Sequence, residues 1–138
     1  MTHKETVLLS LVACASAGGG AALANDIAQC WLKIVRKFTP LIGASSVLLI
    51  VERSVASNLA GFPWLPRLAR PMQLGTSIEQ LRTSMSLRSD DDMRASHHAI
   101  LAAFIDLMAT LIGIQLTVQF LHAAFPDSTA SDTEEISG

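Results

Sequence analysis

The longest nearly uncharged stretch of the chain, residues 99–124, carries one formal charge, Asp106, in 26 residues. A helix of this length rises about 39 Å, enough to cross a hydrocarbon core about 30 Å thick. Apolar side chains surround most of its circumference, whereas a soluble amphipathic helix has a charged face opposite its apolar stripe. The stretch therefore predicts a transmembrane helix. The alternative is a central helix buried in a soluble bundle, and a chain of 138 residues has little length to surround one.

One face of this predicted helix consists of small and polar residues. At 100° per residue they fall within about 60° of one line, and they are Ala99, Ala102, Ala103, Asp106, Ala109, Thr110, Gly113 and Thr117. Small residues let helix backbones approach each other in a membrane, while lipid-facing positions gain nothing from them. The stripe therefore predicts contact with another membrane helix, of a partner protein or of a second copy of this chain.

Composition favours the same class of protein. Half the residues are hydrophobic, mean hydropathy is +0.41, and charged residues make up 16%, against about 25% in ordinary soluble proteins. The net charge of −2 and the aromatic content of 5% argue against a nucleic-acid partner. The length predicts one domain, and no internal repeat is evident in the sequence.

The first 24 residues follow the order of a signal peptide. Lys4 precedes an apolar run over residues 7–17, three glycines follow, and Ala22-Leu23-Ala24 ends the segment. This order predicts cleavage after Ala24. Two alternatives stay open. Residues 7–24 could remain as a first membrane helix, or Cys14 could be acylated as the cysteine of a bacterial lipobox.

Residues 25–38 have helical amphipathic periodicity. The apolar side is formed by Ile27, Trp31, Ile34, Val35 and Phe38, and the opposite side carries Lys33, Arg36 and Lys37. Basic residues opposite Trp and Phe predict a helix lying in the membrane interface. A helix with its apolar face in a protein core is the alternative.

Residues 40–61 predict a second span, although Glu52 and Arg53 interrupt their apolar run. Each charge would cost about 2.5–3.5 kcal/mol in lipid, so a half-span ending at Val51 is the alternative. In an antiparallel hairpin with residues 99–124, Arg53 and Asp106 would lie about 12 Å and 10.5 Å from the connecting loop. These matched depths predict an ion pair between the two helices.

The connection, residues 62–98, is the most basic part of the chain. It contains five arginines, Trp64 as a predicted interfacial anchor, and a capping box at residues 76–79 that predicts a short helix to about Arg88. Ser89 and the three aspartates after it predict a cap for the long helix. The positive-inside rule predicts a cytoplasmic connection and an external, disordered acidic tail over residues 127–138.

No catalytic, cofactor or metal site is predicted. His97 and His98 are adjacent, so in a helix they point about 100° apart and do not chelate as an i, i+4 pair would. Cys14 and Cys30 match no disulfide or metal framework.

The sequence thus predicts an all-α membrane protein with two to three transmembrane helices, an interfacial amphipathic helix and a disordered acidic C-terminal tail. The favoured function is a non-enzymatic subunit or accessory factor of a larger complex at the bacterial inner membrane. One alternative is an oligomeric pore or transport component using Glu52, Arg53 and Asp106. The other is an exported soluble helical protein or lipoprotein.

Overall fold

Every regular element in the described part of the protein is an α-helix. The computed structural model describes residues 20–68 and 73–124, and the helices are α1 (Gly20–Ile42), α2 (Ala44–Ala56), α3 (Leu74–Ser86), α4 (Asp90–Ile112) and α5 (Ile114–Ala124). The all-helical prediction is confirmed. The predictions for residues 1–19, including Cys14, and for the tail over residues 127–138 lie outside the described residues.

Helix α1 has the amphipathic pattern that its sequence predicts, but its apolar face lies inside the protein. Ile27, Trp31, Ile34 and Phe38 are fully or almost fully buried. The predicted interfacial role of Trp31 is therefore wrong, because its ring packs edge-on against Phe104 at 5.4 Å rather than facing lipid. The alternative of a core-facing helix describes α1 correctly.

Two glycines form the corners of the fold. Gly43 separates α1 from α2 with φ 90° and ψ 149°, and Gly113 separates α4 from α5 with φ 89° and ψ 152°. This region of backbone conformation is essentially restricted to glycine. The spans predicted over residues 40–61 and 99–124 are therefore not continuous helices, because the chain turns at a glycine within each.

The two corners belong to a structural repeat, in which residues of the first hairpin and residues 70 positions later in the second occupy equivalent places. Helices α1 and α4 are both 23 residues long, and each residue of α1 lies 70 positions before its counterpart in α4, as Gly20 does before Asp90. Buried positions repeat with the same spacing: Leu23 with Met93, Ile27 with His97, Cys30 with Ile100, Trp31 with Leu101, Ile34 with Phe104, Val35 with Ile105 and Phe38 with Met108. The absence of a repeat inferred from the sequence is corrected.

The two long helices start side by side. The backbone N–H of Gly20 donates a hydrogen bond to Asp90 Oδ1 at 2.8 Å. Contacts of Trp31 with His97 and Phe104, and of Phe38 with Phe104, continue along the pair in the same direction. Since both helices contain 23 residues, both glycine corners lie at the same end of the bundle, about 34 Å from the paired starts.

Helices α2 and α5 run back down the bundle. Each packs beside the long helix of the other hairpin, α2 beside α4 and α5 beside α1. After α2, Asn58 Nδ2 donates a hydrogen bond to the carbonyl of Ala99 in α4 at 3.3 Å. Phe120 of α5 stacks on Phe38 of α1 with ring centroids 5.3 Å apart. The two hairpins, α1–α2 and α4–α5, are therefore interlocked, and α3 packs beside α1.

Helix α4 is the one described helix that is long and apolar enough to cross a membrane. Its large apolar side chains, however, form the centre of the bundle: Ile100, Leu101, Phe104, Ile105 and Met108 are fully buried. Its predicted cap is confirmed, because Ser89 Oγ accepts a hydrogen bond from the N–H of Asp92 at 3.2 Å. Only 39% of the apolar stretch of α4 is buried within the protein, and Leu111 is exposed. The helix therefore gives weak support to a membrane location.

Candidate functional site

The exposed apolar surface is concentrated at the end of the bundle where the two corners meet. We call residues 40–46 and 110–116 the cap. Of the four large hydrophobic side chains that the described residues leave exposed, three lie here: Leu41 at 40%, Leu111 at 61% and Ile114 at 42%. Both corners contain the same three residues, Leu-Ile-Gly. Exposed apolar clusters of this kind mark interaction sites on protein surfaces, so the cap is the leading candidate for one.

No charged residue lies in the cap or in the two residues on either side of each of its segments. Residues 39–51 and 107–121 contain no Asp, Glu, Lys, Arg or His. The nearest charged residue on α1 is Lys37, six residues and about 9 Å below its corner, and on α4 it is Asp106, about 10.5 Å below. Within the described residues, roughly the top 9 Å of the bundle is therefore uncharged.

A group of basic side chains, which we call the belt, lies immediately below the cap on the first hairpin. It consists of Lys33, Arg36, Lys37 and Arg53. Lys33, Arg36 and Arg53 are exposed, and half-buried Lys37 has its Nζ 5.7 Å from the centre of the Phe120 ring. These side chains face outward, as the basic side of the predicted amphipathic helix requires, although the helix itself is part of a bundle.

The two charges predicted to pair across membrane helices lie at the surface of the described structure. Arg53 on α2 and Asp106 on α4 are both exposed. Glu52 is half-buried beside a cavity of about 210 Å³ under the segment that follows α2, where Pro66 and Arg67 also line the wall. Because Arg53 and Asp106 point outward from different helices, the structure gives no support to a buried pair.

The separation of Arg53 and Asp106 can be tested by a double-mutant cycle. We expect the stability changes caused by Arg53→Ala and Asp106→Ala to add within about 0.5 kcal/mol, because residues without a shared contact rarely couple more strongly. Urea unfolding of the wild type, both single variants and the double variant measures this. A coupling energy above about 1 kcal/mol would restore the predicted ion pair.

The predicted small-residue stripe of α4 is divided by the corner. Ala102, Ala103 and Ala109 are half-buried, and Thr110 is exposed with its Oγ1 donating to the carbonyl of Asp106 at 2.9 Å. Thr117 lies beyond Gly113 in α5, where it is fully buried and its Oγ1 donates to the Gly113 carbonyl at 2.8 Å. Thr117 therefore does not share a helix face with Thr110, as one straight helix would require.

Two further sequence predictions fall on packed residues. Ala24, the predicted cleavage position, is fully buried within α1, so cleavage after it would remove the first turn of that helix from the fold. Trp64 is half-buried rather than a free anchor, because its ring contacts Phe62 at 5.3 Å and carries the Arg88 guanidinium at 4.4 Å.

A second unusual feature lies in the core, at His97. Its side chain is fully buried, and neither Nδ1 nor Nε2 has a hydrogen-bond partner. The nearest aromatic ring is that of Trp31, at 6.1 Å between centroids, and Trp31 Nε1 also lacks a partner. Burial lowers the pKa of His97 to about 3, and the adjacent His98 acts in the same direction. His97 is thus neutral at physiological pH.

The remaining chemistry of the described residues is limited. Among residues 20–68 and 73–124, no three His, Cys, Asp or Glu side chains are grouped closely enough to hold a metal ion. Comparisons with protein-family models, with curated proteins and with solved structures give no match to this chain. The most distinctive surface feature of the described residues is the cap, with three of the four exposed large hydrophobic side chains.

Sequence reasoning missed the residues that form the cap. Leu41, Gly43 and Ile114 were assigned to the interior of predicted spans, where their apolar character is unremarkable. The signal that could have identified them is the repeated Leu-Ile-Gly at residues 41–43 and 111–113, since a glycine in the middle of an apolar run often marks a break.

Proposed function

We propose that this protein is a non-enzymatic membrane accessory protein that attaches to a bilayer surface by inserting its cap, without crossing the bilayer. The observation that carries the proposal is the cluster of exposed Leu41, Leu111 and Ile114 at an uncharged end of the bundle. Each side chain would gain apolar burial in lipid that the folded protein alone does not provide.

The depth of the uncharged region supports lipid as the partner. Apolar faces of proteins that lie in a membrane interface are buried about 5–10 Å into the boundary between headgroups and acyl chains. The uncharged region of the cap extends about 9 Å before the first charged side chain. The apolar end could therefore enter this boundary without carrying a formal charge into the hydrocarbon.

Attachment through the cap modifies the membrane localisation that the sequence predicts. The protein would sit on one face of the bilayer, for which we propose the bacterial inner membrane, and the opposite end of the bundle would stay in water. That free end is available to other subunits of an envelope complex, in keeping with an accessory role. A multi-pass arrangement would instead carry exposed Arg36 and Arg53 into the hydrocarbon, at a cost of about 2.5–3.5 kcal/mol each.

The proposal is tested by replacing the cap side chains. We expect the triple variant Leu41→Gln, Leu111→Gln and Ile114→Gln to lower partitioning into phospholipid vesicles roughly 30- to 1000-fold. Together the three side chains would bury about the apolar area of one to two leucines, worth about 1.5–3 kcal/mol each. Flotation of the purified full-length protein with vesicles measures the bound fraction.

Leu87→Gln provides the matched control. Leu87 is the most exposed large hydrophobic residue, at 81%, and it follows α3 at the end of the bundle remote from the cap. Its replacement should leave vesicle binding unchanged, and circular dichroism should report a folded protein for both variants. Equal binding of the wild type and the cap variant would refute the proposal. So would a wild type that binds no vesicles and instead forms dimers that the cap variant abolishes.

A further inference from the structure

We infer that the belt makes this attachment selective for anionic phospholipids, with the headgroup phosphates as its ligands. The inference rests on the proposed function, because the cap must first bring the belt to the headgroup layer. It adds the chemical class of lipid and the orientation of the protein on it. Neither follows from the apolar cap alone.

The distance of the belt from the corners matches the distance of lipid phosphates from a buried cap. Lys37 and Arg36 lie about 9 Å and 10.5 Å below the Gly43 corner, and Arg53 lies about 15 Å below it on the returning helix. If the cap is buried to the base of its uncharged region, Lys37 and Arg36 stand at the level of the phosphates, and Arg53 lies about 6 Å farther out, within a Debye length of them. Charge is complementary there, since basic groups near an anionic leaflet are attracted within a Debye length.

The distribution of acidic groups reinforces the same orientation. On α1, α2, α4 and α5, the residues within about 15 Å of the corners carry the four basic side chains of the belt and two acidic ones, Glu52 and Asp106. At the opposite end, residues 90–92 form the acidic first turn of α4, and Arg88 pairs with Asp92 there. The belt end is therefore the more positive end, so an anionic surface would attract it first.

The test compares two double variants that each remove two positive charges. Arg36→Gln with Arg53→Gln neutralises exposed members of the belt. Arg82→Gln with Arg94→Gln removes arginines near the far end, where α3 ends and α4 begins. Both are measured against vesicles of phosphatidylcholine alone and of phosphatidylcholine with about one-third phosphatidylglycerol, at low and high salt.

We expect the wild type to prefer the vesicles that contain phosphatidylglycerol, with the preference weakened by salt. The belt variant should lose roughly 30-fold in partitioning to those vesicles, because each basic residue near the surface contributes about fivefold. Its binding to neutral vesicles should stay at the wild-type level. The far-end variant should keep the preference, and Arg36→Lys with Arg53→Lys should keep it too, because phosphate attraction needs only the positive charge.

Equal wild-type binding to both vesicle types would overturn the inference while leaving the cap as the attachment site. An equal loss in the belt and far-end variants would also overturn it, since net charge and not position would then explain the effect. Failure of the wild type to bind either vesicle type would overturn the proposed function itself. Circular dichroism spectra that match the wild type exclude unfolding as the cause of a loss.

Discussion

Replacing both corner glycines by alanine should destabilise the protein by roughly 2–6 kcal/mol. Gly43 and Gly113 have φ near +90° and ψ near 150°, a combination that costs a residue with a Cβ about 1–3 kcal/mol. Alanine would instead favour helical geometry and join α4 to α5 in one straight helix. That helix would carry Val118 and Leu121 out of the core, where both are now buried.

Gly75→Ala is the control for this prediction. Gly75 lies in the first turn of α3 without a positive φ, and a Cβ added there meets no atom within 4 Å. Alanine at this position should leave stability unchanged or raise it by up to about 1 kcal/mol, because alanine is the better helix former. Denaturant unfolding of Gly43→Ala, Gly113→Ala and Gly75→Ala provides the comparison. Corner variants as stable as the wild type would mean that the chain does not turn at these glycines.

Much of the local structure could be predicted from the sequence. The period of apolar residues in 25–38 predicts five of the seven buried residues of that segment, missing Ala28 and Cys30. Ser89 with its aspartates predicts the start of α4. Such signals are local, because helix periodicity and capping depend on neighbours within one or two turns. The basic side of α1, which forms most of the belt, was found in the same way.

The tertiary arrangement could not be predicted, for a physical reason that residues 99–124 illustrate. A helix that is apolar on most sides suits the centre of a lipid bilayer and the centre of a protein equally well. The difference lies in what surrounds it, and here α2 packs along α4. The single glycine within each apolar run was decisive, yet glycine is also common in membrane helices. Only the backbone conformation at Gly113 distinguishes a corner from a packing position.

The same limitation explains the Arg53–Asp106 prediction. Matched depth along two helices is necessary for an ion pair but not sufficient, because the rotation of each helix decides which way a side chain points. Ser54 and Val55, next to Arg53, face the core, which directs Arg53 outward. Periodicity within residues 44–56 contains this information, because Val47, Val51 and Val55 recur on one buried face and Arg53 falls outside it.

The buried imidazole of His97 should make the fold sensitive to acid. The unfolded chain takes up a proton at this residue near pH 6.5, whereas in the folded protein burial lowers the pKa of His97 to about 3. Between these values the unfolded state binds more protons, so stability is full above pH 6.5 and is lost progressively as the pH falls towards 3. The loss should approach about 1.4 kcal/mol per pH unit, on the order of 5 kcal/mol in total.

His97→Ile isolates this contribution, because Ile27 already occupies the equivalent buried position of the first repeat. At pH 7.5 we expect the variant to be more stable than the wild type by about 1–3 kcal/mol, since it removes two buried nitrogen atoms without partners. The difference should widen at pH 6 and again at pH 5, as measured by urea unfolding. His98→Gln, at the exposed neighbouring position, should keep most of the wild-type pH dependence, because burial is the larger cause of the lowered pKa of His97 and His98 the smaller one. Parallel pH dependence in the wild type and His97→Ile would show that His97 is not held neutral in the core. A destabilised His97→Ile at pH 7.5 would mean that the imidazole packs better beside Trp31 than isoleucine does, by more than its unpaired nitrogen atoms cost.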